Sequence, residues 1–113
     1  MPKLRILLAA LALSACTSLG SQSYSGESAT FGGDHILRND VTRTVLTAER
    51  AAHNCGQIQS IRSKILQARK VRGRWQVREE WAVQACGKTH RYHIGLFEDA
   101  RGETDYTVRL ISR

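Results

Sequence analysis

Between Trp75 and Phe97, apolar and polar positions alternate with period two on either side of a short break. Trp75, Val77, Trp81, Val83 and Ala85 share one parity; beyond Ala85-Cys86-Gly87-Lys88, so do His90, Tyr92, Ile94 and Leu96. This is the pattern of half-buried antiparallel strands, and it predicts a β-hairpin. Cys86 and Gly87 fall at its tip, where glycine supplies the positive φ of a tight reversal. The only other cysteine in the body of the chain is Cys55, so a staple from residue 55 to residue 86 is expected.

Upstream, Val41, Val45, Ala48 and Ala52 recur at helical spacing with Leu46 beside them, and Asn39 or Asp40 can cap the start. Arg50 and His53 fall in the last turn, where cations meet the negative end of the helix dipole, and Asn54 and Gly56 tolerate the left-handed geometry of a stop. Residues 57–69 fit two templates: Ile58, Ile61, Ile65 and Ala68 make a helical face, whereas Ile61, Ser63 and Ile65 alternate. The strand is preferred, because a lone hairpin under one helix would leave the two indoles poorly covered, and a second helix remains the alternative. Residues 70–74 read as a turn and residues 98–103 as a hairpin loop. Tyr106, Val108 and Leu110 then alternate as a last strand. The fold class expected for residues 39–113 is α+β: one amphipathic helix on a roughly four-stranded antiparallel meander with one disulfide. Residues 17–34 are rich in Ser, Gly and Thr without hydrophobic period. They read as a flexible tether in which Tyr24 and Phe31 stand solvated.

The first sixteen residues, MPKLRILLAALALSAC, carry Lys3 and Arg5, an apolar run and a small-residue ending, the layout of a secretory signal too short to span a bilayer. Leu13-Ser14-Ala15-Cys16 resembles the lipobox of bacterial lipoproteins. The resemblance implies that residues 1–15 are a signal peptide and that Cys16 is acylated and begins the mature chain. Residues 16–38 would then be a lipidated N-terminus and tether, and the acyl chains would make the membrane a partner. Thr17, in place of Asp, implies the outer membrane, with the domain facing the periplasm. An ordinary signal with a chance cysteine is the bland alternative. With Cys16 so used, Cys55 and Cys86 remain as an even pair in an oxidising compartment. The order helix, cysteine, strand, Cys-Gly hairpin over residues 41–97 also resembles small secreted and lipoprotein domains that carry no known activity. The small lipoprotein subunit of the outer-membrane β-barrel assembly machine has similar length and address. Its paired helices and Gly-Met-Thr helix start are not found here.

Charge sharpens this picture. Seventeen Lys and Arg face ten Asp and Glu, a formal +7; without Lys3 and Arg5 the mature chain keeps 15 bases and 10 acids, about +5. Arg62, Lys64, Arg69, Lys70, Arg72, Arg74 and Arg78 lie in one run with no acid among the cations until Glu79. Such a run suits an anionic envelope component, or a solvated edge protected from aggregation. Nucleic acid is not expected, since Trp75 and Trp81 carry the core parity and leave no exposed stacking aromatics between the cations. His35, His53, His90 and His93 suggest no metal set: His90 and His93 face opposite ways on a strand, and Cys55 is committed to the disulfide. Glu79 and Glu80 likewise face apart, and no serine sits in a nucleophile motif. No catalytic residue, metal or cofactor is expected. The function expected is a lipid-anchored, non-enzymatic binding or structural module. The alternatives are an inhibitor of a periplasmic hydrolase, lysozyme-inhibitor-like, and an accessory lipoprotein of a secretion or envelope assembly machine.

Overall fold

The computed structural model describes residues 22–112; the stretch read as a signal segment, the lipobox-like residues with Cys16, and Thr17 lie outside them. The order of elements is β1 (Ser23–Gly26), α1 (Ile36–His53), β2 (Ile58–Val71), β3 (Arg74–Ala85), β4 (Lys88–Glu98) and β5 (Thr104–Ser112). They form an α+β fold in which one five-stranded sheet, ordered β1-β2-β3-β4-β5, is antiparallel except for the parallel β1–β2 pair. Residues 57–69 are therefore strand rather than a second helix. Among the described residues no helix is long and apolar enough to cross a membrane.

The core lies between α1 and one sheet face. Val41, Val45 and Leu46 of the helix meet Ile61, Trp81, Val83, Ala85, Tyr92, Ile94 and Leu96 of the sheet, all buried. Both central reversals are two-residue turns with positive φ at each position, Arg72-Gly73 and Cys86-Gly87, the twist that matches right-handed flanking strands. Helix α1 stops where Asn54 takes φ 52° and donates its N–H back to the Arg50 carbonyl. Cys55 follows, and its disulfide to Cys86 joins the helix end to the β3–β4 tip, with Cα atoms 6.1 Å apart.

Several expectations need correction. The sheet has a fifth strand, and it comes from the stretch expected to be tether. Ser23–Gly26 pairs with Ser60–Ser63, and Gly26, at φ +82°, lies so close to β2 that a Cβ would fall 2.1 Å from the Ser63 carbonyl oxygen. Tyr24 and Phe31 are not solvated: their rings meet edge to face at 5.6 Å, Phe31 lies 6.5 Å from Trp81, and the Arg38 guanidinium sits 4.2 Å over Tyr24. The folded unit thus begins before residue 39.

The helix also starts earlier, at Ile36, whose N–H is taken by Asp34 Oδ1 at 3.0 Å in place of an Asn39 or Asp40 cap. Its buried stripe runs Val41, Val45, Glu49; Ala52 is exposed. Finally, Trp75 is 46% exposed despite its parity. An 18-residue helix spans about 27 Å, whereas the 14 residues of β2 span about 46 Å, so the β2–β3 hairpin outruns its cover. Lys70 covers the projecting indole instead, its Nζ 5.3 Å from the ring.

Candidate functional site

The sheet face turned away from α1 carries the charge. The β2–β3 pairing is regular from Ser60↔Gln84 to Ile65↔Glu79 and resumes at Gln67↔Arg78, with Leu66 as the extra residue. That bulge reverses parity along β2, so Arg62 and Lys64 before it and Arg69 after it share the open face. From β3, Arg74 and Arg78 fall on the same side. The basic run is thereby divided: Arg62, Lys64, Arg69, Arg74 and Arg78 share the open face, Arg72 is in the turn, and Lys70 lies on the opposite side over Trp75. The pairings Ala82↔Arg91 and His93↔Arg109 bring in two cations that no run in the sequence announces. Against these seven, the same parity carries the carboxylates of Glu80 and Asp105.

Few of these charges are neutralised locally. Arg91 Nε lies 3.5 Å from Glu80 Oε2, Arg109 Nη2 donates to His93 Nδ1 at 3.0 Å, and Arg69 reaches the Gln76 amide oxygen at 3.5 Å. At the centre is a notch of about 210 Å³ lined by Arg78, His93, Gly95, Phe97, Thr107 and Arg109. Gly95 makes it possible. A Cβ there would meet Thr107 Oγ1 at 2.6 Å and the Phe97 ring at 3.0 Å, so a side chain would fill the space between the two arginine-bearing strands. A second hollow, of about 290 Å³, lies beside Arg62, Lys64, Ala82 and Arg91. Among the described residues no element covers this face.

The helix-facing side holds two carboxylates with zero exposure, Glu79 and Glu49. Glu79 accepts hydrogen bonds from Ser28 Oγ (2.7 Å), the Ala29 N–H (2.7 Å), Ser63 Oγ (3.2 Å) and Trp81 Nε1 (2.9 Å). Four neutral donors take the place of its water shell, and two of them belong to the segment after β1. Glu80, facing the other way, pairs with Arg91 across the sheet.

Glu49 is built into a different cluster. His90 Nδ1 lies 3.0 and 3.1 Å from its two oxygens, His53 Nδ1 lies 3.4 Å from Oε2, and Tyr92 donates its hydroxyl to Oε2. The rings of His53 and His90 are stacked 3.6 Å apart. Burial, and then the hydrogen bond to Glu49, push the Tyr92 hydroxyl far above its ordinary value. His90 and His93 do face opposite ways, but His90 finds its partners on α1. The signal was there to be read: Glu49 continues the Val41–Val45 stripe at the next i+4 position, and His53 the one after.

An apolar groove of about 340 Å³ lies under the projecting hairpin, lined by Leu37, Trp75, Val77 and Leu96 among others. No known family model matches this chain, and no curated protein or solved structure matches it significantly.

Proposed function

We propose that this chain is a lipid-anchored, non-enzymatic envelope module whose open sheet face holds phosphate-bearing anionic material, the headgroups of acidic lipids or lipid A. The observation that carries the reading is the face itself. Arg62, Lys64, Arg69, Arg74, Arg78, Arg91 and Arg109 project from four neighbouring strands around the Gly95 notch, against Glu80 and Asp105. A rigid sheet holds guanidinium groups at fixed spacing, which suits them to the tetrahedral oxygens of phosphate. Each cation near an anionic lipid surface is worth about 1 kcal/mol, so an excess of several is sufficient for reversible attachment at low salt. The lipobox-like Leu13-Ser14-Ala15-Cys16 and the Cys55–Cys86 disulfide support the address.

The test is sedimentation with acidic phospholipid vesicles and with lipopolysaccharide at stepped ionic strength. Replacing Arg62, Arg78, Arg91 and Arg109 by Ser should abolish most binding and flatten its salt dependence. Replacing Lys70 and Arg72, which lie off the face, should leave most of it. Equal losses in the two variants, or binding indifferent to salt, would refute the reading.

A further inference from the structure

We infer that Glu49, His53 and His90 form a binding site for a divalent transition metal of zinc's class, separate from the basic face and on the other side of the sheet. Helix α1 places Glu49 and His53 one turn apart on the same side, and β4 brings His90 against them. One donor atom from each of the three lies within 4.8 Å of the others. In a tetrahedral site with bonds of about 2.0–2.1 Å, neighbouring donor atoms stand about 3.3 Å apart. To the single oxygen Oε2 of Glu49, the distances of 3.1 Å from His90 Nδ1 and 3.4 Å from His53 Nδ1 are already of that size.

The chemistry of the donors agrees with the geometry. Glu49 is a fully buried carboxylate whose ion pairs among the described residues are with these two histidines. A divalent cation would offset the charge of this buried carboxylate while both imidazoles stay uncharged, the form in which they ligate a metal. His53 has a second reason to take a metal. Its Nδ1 and Nε2 are both buried without a hydrogen-bond partner among the described residues, and coordination would satisfy one of them. Tyr92 holds Glu49 from behind through Oε2, the kind of outer contact that fixes a ligating carboxylate. His53 and His90 also line a hollow of about 480 Å³ with Cys55, Ala85, Cys86 and Lys88. It gives an ion an entry path and leaves room for water at a fourth position. The two cysteines are joined to each other, so the donor set is nitrogen and oxygen, a combination suited to zinc.

The experiment uses the untagged full chain with its disulfide intact, stripped with chelator and titrated with Zn²⁺ by calorimetry, alongside Co²⁺ absorption spectra as a report of tetrahedral ligation. One saturable ion per chain is expected, together with a rise in thermal midpoint. His53→Ala should weaken binding by more than the roughly 10- to 100-fold typical of losing an outer hydrogen-bond partner. The His53 ring makes no hydrogen bond, so this variant should keep the fold, checked by circular dichroism. His93→Ala, on the open face, should bind as the parent does. No saturable uptake, or undiminished affinity in His53→Ala, would overturn the site and leave Glu49 and His90 as a structural ion pair.

Discussion

Tyr92 shows how a buried acid shapes its surroundings. Its hydroxyl is enclosed and donates to Glu49, so releasing the proton would put a second negative charge beside the first. The folded chain therefore keeps that proton above pH 10, where the unfolded chain gives it up. The stabilisation is fully present below about pH 10 and is lost progressively as pH rises beyond it. Chemical unfolding of parent and Tyr92→Phe between pH 8 and about 11.5 should show the parent falling more steeply; parallel curves would contradict it. Such residues were only half legible in the sequence. Glu79 has the parity of Trp81 and Glu49 the spacing of Val45, so both positions announced burial, but the donors that make burial tolerable come from Ser28, Ala29, Ser63, His90 and Tyr92. No local pattern links residues 28 and 79, and only the folded topology brings them together.

At the scale of elements, periodicity reported what it physically encodes. Hairpin β3–β4 and the body of α1 bury one side chain in two or in roughly four, strand β5 half-buries alternate ones, and those ratios are visible in the chain. Strand β1 buries little. It is held by backbone pairing to the β2 edge and by the close approach at Gly26, neither of which leaves a hydrophobic period. The Leu66 bulge is similarly silent, though it decides which cations share a face, and Trp75 reads as core because alternation cannot tell where the covering helix ends. The disulfide was legible because composition leaves few pairings. Its energetic role follows from the fold: it ties the end of α1 to the β3–β4 tip across 31 residues of chain. Constraining such a loop in the unfolded state contributes roughly 3 to 4 kcal/mol, much of the stability of a small domain. A Cys55→Ser, Cys86→Ser chain should therefore unfold at markedly lower denaturant, with two thiols fewer than expected found free when the denatured parent is labelled. A double variant as stable as the parent would show that the helix and hairpin need no staple.

For the whole molecule, the consequence of β1 is that six residues of sequence, 17–22, separate Cys16 from the first strand. Should Cys16 carry acyl chains, that count, against the eighteen residues of the expected tether, limits how far the domain could stand from the lipid surface. On the proposed anchoring, a chain that enters the sheet at Ser23, beside Ser60 on the β2 edge, would keep the basic face within a short distance of the lipid surface rather than out in bulk solvent. Over that range charge attraction is not fully screened, the Debye length at physiological salt being about 8 Å. On the proposed function, anchoring and charge would act as two signals of different character: acyl chains would bind irrespective of salt, whereas the face would bind reversibly and release as salt rises. Four chains separate them: the parent, Cys16→Ala, the Arg62, Arg78, Arg91 and Arg109 to Ser variant, and the two combined. Intact mass of membrane-purified parent should show a mature start at acylated Cys16. In fractionation, the parent and the four-arginine variant should both remain with membranes in high salt. The Cys16→Ala chain should sediment with acidic vesicles in low salt only, and the combined variant should stay in the supernatant at every ionic strength. A Cys16→Ala chain held by membranes in high salt would mean that something other than acylation anchors the protein, and a combined variant that still sediments in low salt would mean that the open face is not the charged contact.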